Sequence, residues 1–241
     1  MPIFPRRGSV PTFLPLTNLD FPLTAESLLT DLIVPLRPAD TGEEALGVMG
    51  EFYVRHLPIV ENRQLVAVIS EEDILNADAM EEVGNYPLAS RPPAVFPDDH
   101  LYDVMRLLVE YKLTVVPVID REGNYLGMVS SEDLLRFFAE SSTFRDPGSI
   151  VILEVGRQDY SLAEIARIVE SDGAVILSSF VRSFPDSGLV EVTIKVSSQS
   201  IASTLATFER YKYTVKASFN EKQLQDTMRE RYDSLMSYLN V

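Results

Sequence analysis

Apolar and polar positions along residues 24–140 predict the same order of elements twice. In each copy, a short apolar stretch leads through a Pro-Asp turn into a segment with apolar residues at helical spacing, centred on Met49 in the first copy and Leu107 in the second. Two apolar strands joined by a polar turn follow, and a second helix that begins at Ser-x-x-Asp closes each copy. The pattern predicts two βαββα units.

The two units align as an internal repeat. Residues 34–61 match residues 93–120 at a spacing of 59 (93 − 34), and an insertion in the second polar turn increases the spacing to 60 (130 − 70) at the closing helices. The closing phrases begin at Ser70 and Ser130. A repeat that keeps both the apolar periodicity and the positions of the polar turns indicates two copies of one supersecondary unit.

This paired pattern resembles the CBS motif, a module that normally occurs in pairs. The resemblance is carried by "HLPIVE" with "VISEEDIL" in the first copy and by "VVPVID" with "NYLGMVSSEDLLRF" in the second. It covers residues 28–138, and the predicted motifs span 24–80 and 81–140. The resemblance implies a pseudo-twofold pair of βαββα units, with their strands packed into a joint sheet and a cleft between the halves.

A different pattern follows a predicted linker at residues 141–149. Residues 150–219 predict the order βαββαβ, which is the ferredoxin-like arrangement. In its first helix, Ser161 and Glu164 predict a capping box, and Gly173 predicts the helix end. The stretch "GRQDYSLAEIARIVES" resembles the first loop and helix of the ACT family, although Tyr160 and Ser161 stand where that family has Pro-Gly.

The two ends of the chain differ in character. Residues 1–23 are rich in proline and lack periodicity, which predicts a flexible arm. Residues 220–241 predict an amphipathic helix whose apolar stripe must be buried against its own domain or a partner. The stripe consists of Leu224, Met228, Tyr232, Leu235 and Leu239. The predicted fold class is therefore α/β (α+β): a tandem CBS pair, a ferredoxin-like ACT domain and a C-terminal helix.

Composition excludes several classes of function. The chain has no cysteine, which excludes disulfides, thiol catalysis and cysteine-based metal sites. Its net charge is −15, and it lacks the clustered Lys and Arg that a phosphate backbone or an anionic membrane requires. No apolar run approaches the roughly 18 residues of a membrane span. We therefore expect a cytoplasmic protein that binds neither nucleic acid nor membrane.

Catalytic and metal-binding patterns are also missing from the sequence. There is no glycine-rich phosphate loop, no H-E-x-x-H spacing, and no Ser near a His or Lys that could activate it. We therefore predict no enzymatic activity, no metal site and no essential cofactor.

The repeated Ser-x-x-Asp phrase has two interpretations. Ser and Asp are favoured at helix N-termini because their oxygens accept otherwise unpaired backbone N–H groups. Alternatively, the CBS resemblance implies that Asp73 and Asp133 accept the ribose hydroxyls of an adenine nucleotide, with Ser70 and Ser130 supporting the sugar or phosphate. A carboxylate can hold a vicinal diol, and a helix N-terminus suits a nearby phosphate. Both interpretations stay open at this stage.

Three further residues are candidate ligand contacts. His56 precedes the first strand of its repeat, in a position near the cleft of the family, where it either touches a ligand or has a structural role. Arg55 and Arg136 are candidate partners for a phosphate, which would need positive charge because Glu71 and Glu132 lie beside the Ser-x-x-Asp phrases. None of these contacts is fixed by the sequence.

These features predict a non-enzymatic regulatory protein. Its CBS pair would bind AMP, ADP, ATP or a related adenosyl ligand, and the ACT-like domain or a dimer interface would transmit the ligand state. The order of parts resembles bacterial accessory proteins associated with acetoin utilisation. The alternative is a ligand-free dimerisation or interaction module in which both Ser-x-x-Asp phrases are only helix caps. A homodimer is expected in either case, with an unknown protein as a further partner.

Overall fold

The computed structural model describes residues 23–30, 32–89, 91–185 and 187–220, together with residues 236 and 238. The chain divides into two compact units, the first ending at Arg136 and the second beginning at Phe137. The predicted N-terminal arm, apart from Leu23, lies outside the described residues. The same holds for most of the helix predicted at residues 220–241.

The first unit contains the two repeats, each in the predicted order, except for the end of the last helix after Arg136. The first repeat comprises α1 (Gly42–Phe52), β1 (His56–Glu61), β2 (Gln64–Ser70) and α2 (Glu71–Leu75). The second comprises α3 (Leu101–Glu110), β3 (Val115–Ile119), β4 (Tyr125–Ser130) and α4 (Ser131–Glu140). In both repeats the two strands form an antiparallel hairpin. The two hairpins are separate two-stranded sheets, so the joint sheet that the resemblance implies is not observed among the described residues. The apolar strand predicted at the start of each repeat is reduced to one parallel bridge, Leu36 with Ile59 or Val95 with Val118.

Local chemistry explains where the elements of the first repeat begin and end. At the start of α1, the Thr41 hydroxyl oxygen accepts the Glu44 N–H, and the Glu44 carboxylate accepts the Thr41 N–H. Helix α1 ends at Tyr53, which has a left-handed conformation (φ 54°). The turn between β1 and β2 has positive φ at both Asn62 and Arg63, as the tight turns that suit hairpin twist require.

Each repeat is completed by the leading segment of the other. Ala25, at the start of the first repeat, donates its N–H to the Asp99 carbonyl of the second at 2.9 Å. Val83, at the start of the second repeat, donates its N–H to the Asp40 carbonyl of the first at 2.8 Å. This reciprocal exchange means that the two repeats fold as one body.

The first hydrophobic core likewise draws on both repeats. Leu57, Ile59 and Ile69 of the first hairpin lie in one buried cluster with Val115 and Met128 of the second. All five are at most 1% exposed. Because apolar burial is the dominant favourable term in folding, this shared cluster ties the stability of the two repeats together.

The second unit is a four-stranded antiparallel sheet with two long helices. Its elements are α5 (Ser142–Arg145), β5 (Ser149–Gly156), α6 (Leu162–Ser171), β6 (Ile176–Ser183), β7 (Leu189–Val196), α7 (Ala202–Arg210) and β8 (Thr214–Asn220). The strand order is β6-β7-β5-β8, so the order βαββαβ is observed with the first strand between the third and the fourth. The predicted linker at 141–149 contains α5 and the first residue of β5.

One local prediction in this unit is wrong. Ser161 caps α6 by accepting the Glu164 N–H, but Glu164 does not complete the predicted capping box. Its carboxylate instead accepts the Tyr213 hydroxyl at 2.9 Å. A buried phenol needs a hydrogen-bond partner more than an exposed helix start needs a second cap. The predicted stop at Gly173 agrees with its left-handed conformation (φ 75°).

We expect Leu57→Ala to lower the free energy of unfolding by about 2–5 kcal/mol, because the change leaves a cavity in the shared core. The matched control is Leu135→Ala on α4, where the side chain is 69% exposed, and it should change stability by less than about 0.5 kcal/mol. Urea unfolding followed by circular dichroism measures both. Equal effects of the two substitutions would contradict the shared core.

Candidate functional site

The first Ser-x-x-Asp phrase forms a complete helix cap at the start of α2. The Asp73 N–H donates to Ser70 Oγ at 3.0 Å, and both the Ser70 N–H and the Ser70 hydroxyl donate to Asp73 Oδ2, at 2.9 and 2.6 Å. These bonds satisfy backbone donors that would otherwise be unpaired at a helix start. The interpretation of the phrase as a cap is therefore confirmed for this copy.

The second phrase forms the same cap at the start of α4. The Asp133 N–H donates to Ser130 Oγ at 3.0 Å, while the Ser130 N–H and hydroxyl donate to Asp133 Oδ2, at 3.2 and 2.5 Å. Ser130 is buried, with only 5% of its surface exposed. The two caps therefore share one geometry and differ in their access to solvent.

Both caps leave the second oxygen of the Asp carboxylate outside the capping bonds. Among the described residues, no hydrogen bond reaches Asp73 Oδ1, and Asp73 is exposed. Asp133 Oδ1 accepts only a long contact from Arg136 Nη1 at 3.4 Å, and its side chain is 14% exposed. A carboxylate has about four acceptor positions. Each Asp can therefore cap its helix and still accept hydrogen bonds from a ligand.

A chain of hydrogen bonds joins the two caps across the repeats. The Glu71 N–H, next to Ser70, donates to the Arg55 carbonyl at 2.9 Å, and the Arg55 N–H donates to Thr114 Oγ1 at 2.8 Å. The Ser131 N–H then donates to the Thr114 carbonyl at 3.0 Å. The starts of α2 and α4 are thus connected through the residues that precede β1 and β3.

His56 lies at this junction and is half-buried. Its Nδ1 accepts the Thr114 N–H at 3.3 Å and lies 3.2 Å from Thr114 Oγ1, which places the ring proton on Nε2. Burial lowers the pKa of His56, Arg55 lowers it further, and Asp73 opposes the shift. The structure therefore gives His56 a structural role between the repeats, as a neutral acceptor.

The two candidate phosphate partners are each paired with a carboxylate. Arg55 Nε lies 3.7 Å from Glu71 Oε2, and the Arg55 side chain is 76% exposed. Arg136 Nη2 lies 2.8 Å from Glu132 Oε1. These pairs neutralise the acids that flank the caps, so a ligand phosphate would compete with them for the guanidinium groups.

Sequence reasoning missed Thr114 and a second polar contact between the repeats. Gln64 Nε2 donates to Asn124 Oδ1 at 2.7 Å where the two hairpin turns meet. The repeat alignment contains the signal, because Thr114 corresponds to Arg55 at a spacing of 59 (114 − 55) and Asn124 to Gln64 at 60 (124 − 64). In two repeats related by a pseudo-twofold axis, a residue near the axis contacts the residue that corresponds to it in the other repeat.

The second unit has a cavity of about 440 Å³ beside the loop between β5 and α6. Three carboxylates line it, those of Glu154, Asp159 and Glu164. Burial and the hydrogen bond to Glu164 raise the pKa of the lining Tyr213 to about 12. Lys212 also lines the cavity, and Lys216 pairs with Glu154 at 3.2 Å. The lining is therefore acidic but partly neutralised.

Neither a metal-binding cluster nor a membrane-spanning helix is found among the described residues. No group of three or more His, Asp or Glu side chains within these residues is arranged to hold a metal ion. No helix in the same part of the chain is long and apolar enough to cross a membrane.

Comparison with known families identifies the repeats. Residues 25–79 and 83–140 each match the family model of the CBS domain. The chain therefore contains a tandem pair of CBS domains, and the prediction of a CBS pair is confirmed. The match ends before residue 150, so the ACT-like interpretation of residues 150–219 stays a prediction.

Relatives share the paired region with this chain. An uncharacterized protein of Methanocaldococcus jannaschii is 28% identical over 116 residues, which cover 48% of this chain and 44% of that protein. An inosine-5′-monophosphate dehydrogenase of Korarchaeum cryptofilum is 27% identical over 120 residues, covering 50% of this chain and 25% of the enzyme. The matched segments thus span less than half of either relative.

A solved structure of CBSX2 in complex with AMP shows a similar extent of likeness. It is 25% identical to this chain and covers 48% of it, and 96% of CBSX2 is covered, with a TM-score of 0.43.

The half-buried position and lowered pKa of His56 predict a pH dependence of stability. Because its pKa is lower in the folded than in the unfolded state, the unfolded chain binds the proton more readily. The free energy of unfolding should therefore fall as the pH decreases below about 6.5, until the folded value is passed. Unfolding in urea at several pH values measures this. His56→Gln should flatten the profile in this window, and an unchanged slope would contradict the assignment.

Proposed function

We propose that the chain is a non-enzymatic regulatory protein whose CBS pair binds an adenine nucleotide or adenosyl ligand at Ser70–Asp73, Ser130–Asp133 or both. The ligand state is transmitted within a homodimer through the ACT-like domain or the dimer interface. The observation that carries the proposal is the hydrogen-bond chain between the two caps. It gives a ligand at either Asp a direct route to the contact between the repeats.

The chemistry of the caps supports a sugar diol as the ligand group. Asp73 is an exposed residue and its Oδ1 lies outside the capping bonds, so this oxygen can accept ribose hydroxyls without disturbing the helix start. Hydrogen bonds to an ionised carboxylate are stronger than those between neutral groups. The exposed Arg55 offers a guanidinium to a phosphate, in competition with Glu71 of the acidic first turn of α2.

Regulation would follow from linkage between the two helix starts. The Arg55–Thr114 contact belongs to both repeats, so a ligand that moves α2 or α4 also changes the energy of this contact. A ligand shifts a conformational equilibrium only by its differential affinity for the two states. The dehydrogenase relative matches over only a quarter of its length, which supports a module separable from catalysis.

A second candidate is a ligand-free dimerisation or interaction module. The specific observation in its favour is that both capping boxes are complete without a ligand. In that case Asp73→Ala would lower the free energy of unfolding by about 0.5–2 kcal/mol and would alter no ligand response. The two candidate functions differ in whether the second carboxylate oxygen of Asp73 and Asp133 binds a ligand.

Substitution of each Asp by Asn separates these functions. Asn can retain the cap with its single carbonyl oxygen, but it presents an NH₂ donor where the second oxygen accepted. We expect Asp73→Asn and Asp133→Asn each to weaken one adenosyl site by about 10- to 100-fold, as the loss of hydrogen bonds to a charged group implies. Titration calorimetry with AMP, ADP, ATP and S-adenosylmethionine measures these affinities.

The matched control is Ser161→Ala, which removes the cap of α6 in the second unit. It should lower stability as a lost cap does and leave ligand affinity unchanged. Absence of heat and of a melting shift at millimolar ligand in the unaltered protein would reject the proposed function. Full binding by the Asp73→Asn, Asp133→Asn double variant would reject the assigned residues.

Thr114→Val tests the connection between the caps. Valine keeps the volume but removes the hydroxyl that accepts the Arg55 N–H and faces His56. We expect the free energy of unfolding to fall by about 1–3 kcal/mol and the two ligand sites to become independent in the binding isotherm. Thr114→Ser, which keeps the hydroxyl, is the control. If the Thr114→Val and Thr114→Ser variants give the same binding isotherm, coupling of the two ligand sites through the Thr114 hydroxyl is excluded.

A further inference from the structure

The sheet of the second unit has two unlike faces. One face packs under α6 and α7, where Val151, Leu153, Val192 and Ile194 are fully buried. Successive side chains alternate between the faces of a sheet, so their neighbours along each strand point to the opposite side. We call that opposite side the outer face.

The outer face is largely apolar at one end and charged at the other. Two cross-strand rows form the apolar end: Phe180, Thr193, Ile152 and Ala217 in one, and Ser178, Lys195, Ile150 and Phe219 in the next. Phe180 is 67% exposed and Phe219 46%. At the other end, Arg182, Glu191, Lys216 and Glu154 form a ladder of ion pairs. Phe180 and Phe219 lie on opposite edge strands of the sheet, with Ile150 and Ile152 between them on β5. An apolar surface that extends across a sheet and is partly exposed indicates a surface that something covers.

The chain leaves the sheet beside the apolar rows. Strand β8 lies at the edge of the sheet, and its last residue, Asn220, is paired with Ser149. Phe219 precedes it and lies in the second apolar row. Residues 221–241 therefore start next to the apolar end of the outer face and away from the charged ladder.

The sequence of residues 221–241 fits such a surface. Its five-residue apolar stripe, from Leu224 to Leu239, lies outside the described residues and is derived from the sequence. Met236 and Tyr238 are described, both are helical, and both are exposed. At 100° per residue they flank the stripe on either side, as expected of a helix with one apolar face.

The dimensions also agree. A helix of this segment's length would extend about 30 Å, whereas four strands about 4.8 Å apart span roughly 15 Å. One helix can therefore cross all the strands of the sheet and place several stripe residues on the two apolar rows.

We propose that residues 221–241 form an amphipathic helix that lies across the outer face of the same chain, with the stripe on Phe180, Ile150 and Phe219. The tether favours this occupant, since a segment joined directly to the sheet has an effective concentration in the millimolar range. The inference is independent of any ligand at the CBS pair.

Cysteine cross-linking tests the proposal directly, because the chain contains no native cysteine. Thr193→Cys places a thiol at the centre of the outer face. Combined with Met228→Cys on the stripe, it should form a disulfide within one chain under mild oxidation. The matched control combines Thr193→Cys with Asp226→Cys, which lies two residues away on the polar side of the same helix. Peptide mass mapping and non-reducing electrophoresis identify the bonds.

A disulfide within one chain that forms at least tenfold faster with Met228→Cys than with Asp226→Cys supports the proposal. Disulfides only between chains would overturn it and show that a second copy covers the face. Equal rates for the two pairs, or no bond with either, would also overturn it, since the stripe would then lie elsewhere. Reduced samples of all variants should keep the unaltered circular dichroism spectrum and melting temperature, which shows that the substitutions leave the fold intact.

Discussion

Neither CBS repeat can satisfy its own backbone, and the rest of the first unit depends on this constraint. The leading segment of each repeat donates hydrogen bonds to the other, through Ala25 in one direction and Val83 in the other. An unpaired buried N–H costs about as much as a lost hydrogen bond. Separation of the repeats would therefore expose a shared core and leave a set of donors and acceptors without partners. Pairing of the modules is a condition of folding here, before any ligand is considered.

The caps show how one side chain can stabilise a helix start and still keep an acceptor oxygen outside the capping bonds. Asp73 and Asp133 each use Oδ2 for the helix start, and the other oxygen stays outside the capping bonds. The two interpretations of Ser-x-x-Asp therefore compete only if the whole carboxylate is needed for one task. The geometry is nearly identical in the two copies, but the second is more enclosed. A ligand that binds the two copies differently would do so because Asp133 is less exposed than Asp73 and because Arg136 contacts Asp133.

Much of the architecture of the first unit could be predicted because the same apolar periodicity and turn residues occur in both repeats. Apolar periodicity located α1 and α3, and turn chemistry located the hairpins, since both depend on residues close in sequence. The junction of Arg55, His56 and Thr114 depends instead on a contact over 58 or 59 residues, which no local pattern specifies. The Ser161 capping box lacks the bond to the Glu164 carboxylate for the same reason, a contact between residues far apart in sequence. A distant phenol, Tyr213, takes the carboxylate that local sequence assigns to the helix start.

Charge near the caps decides what kind of ligand the CBS pair can accept. The flanking acids are held in ion pairs with Arg55 and Arg136, and these arginines are at least 40% exposed. Exposed pairs of this kind contribute about 0–1 kcal/mol, so a phosphate can take over a guanidinium at little cost. The released carboxylate then stays close to the phosphate, and repulsion grows with each added negative charge. For the proposed adenosyl ligand, the surroundings of both caps would therefore favour a low negative charge over a triphosphate, since Asp73 and Asp133 would hold the ribose of either in the same way.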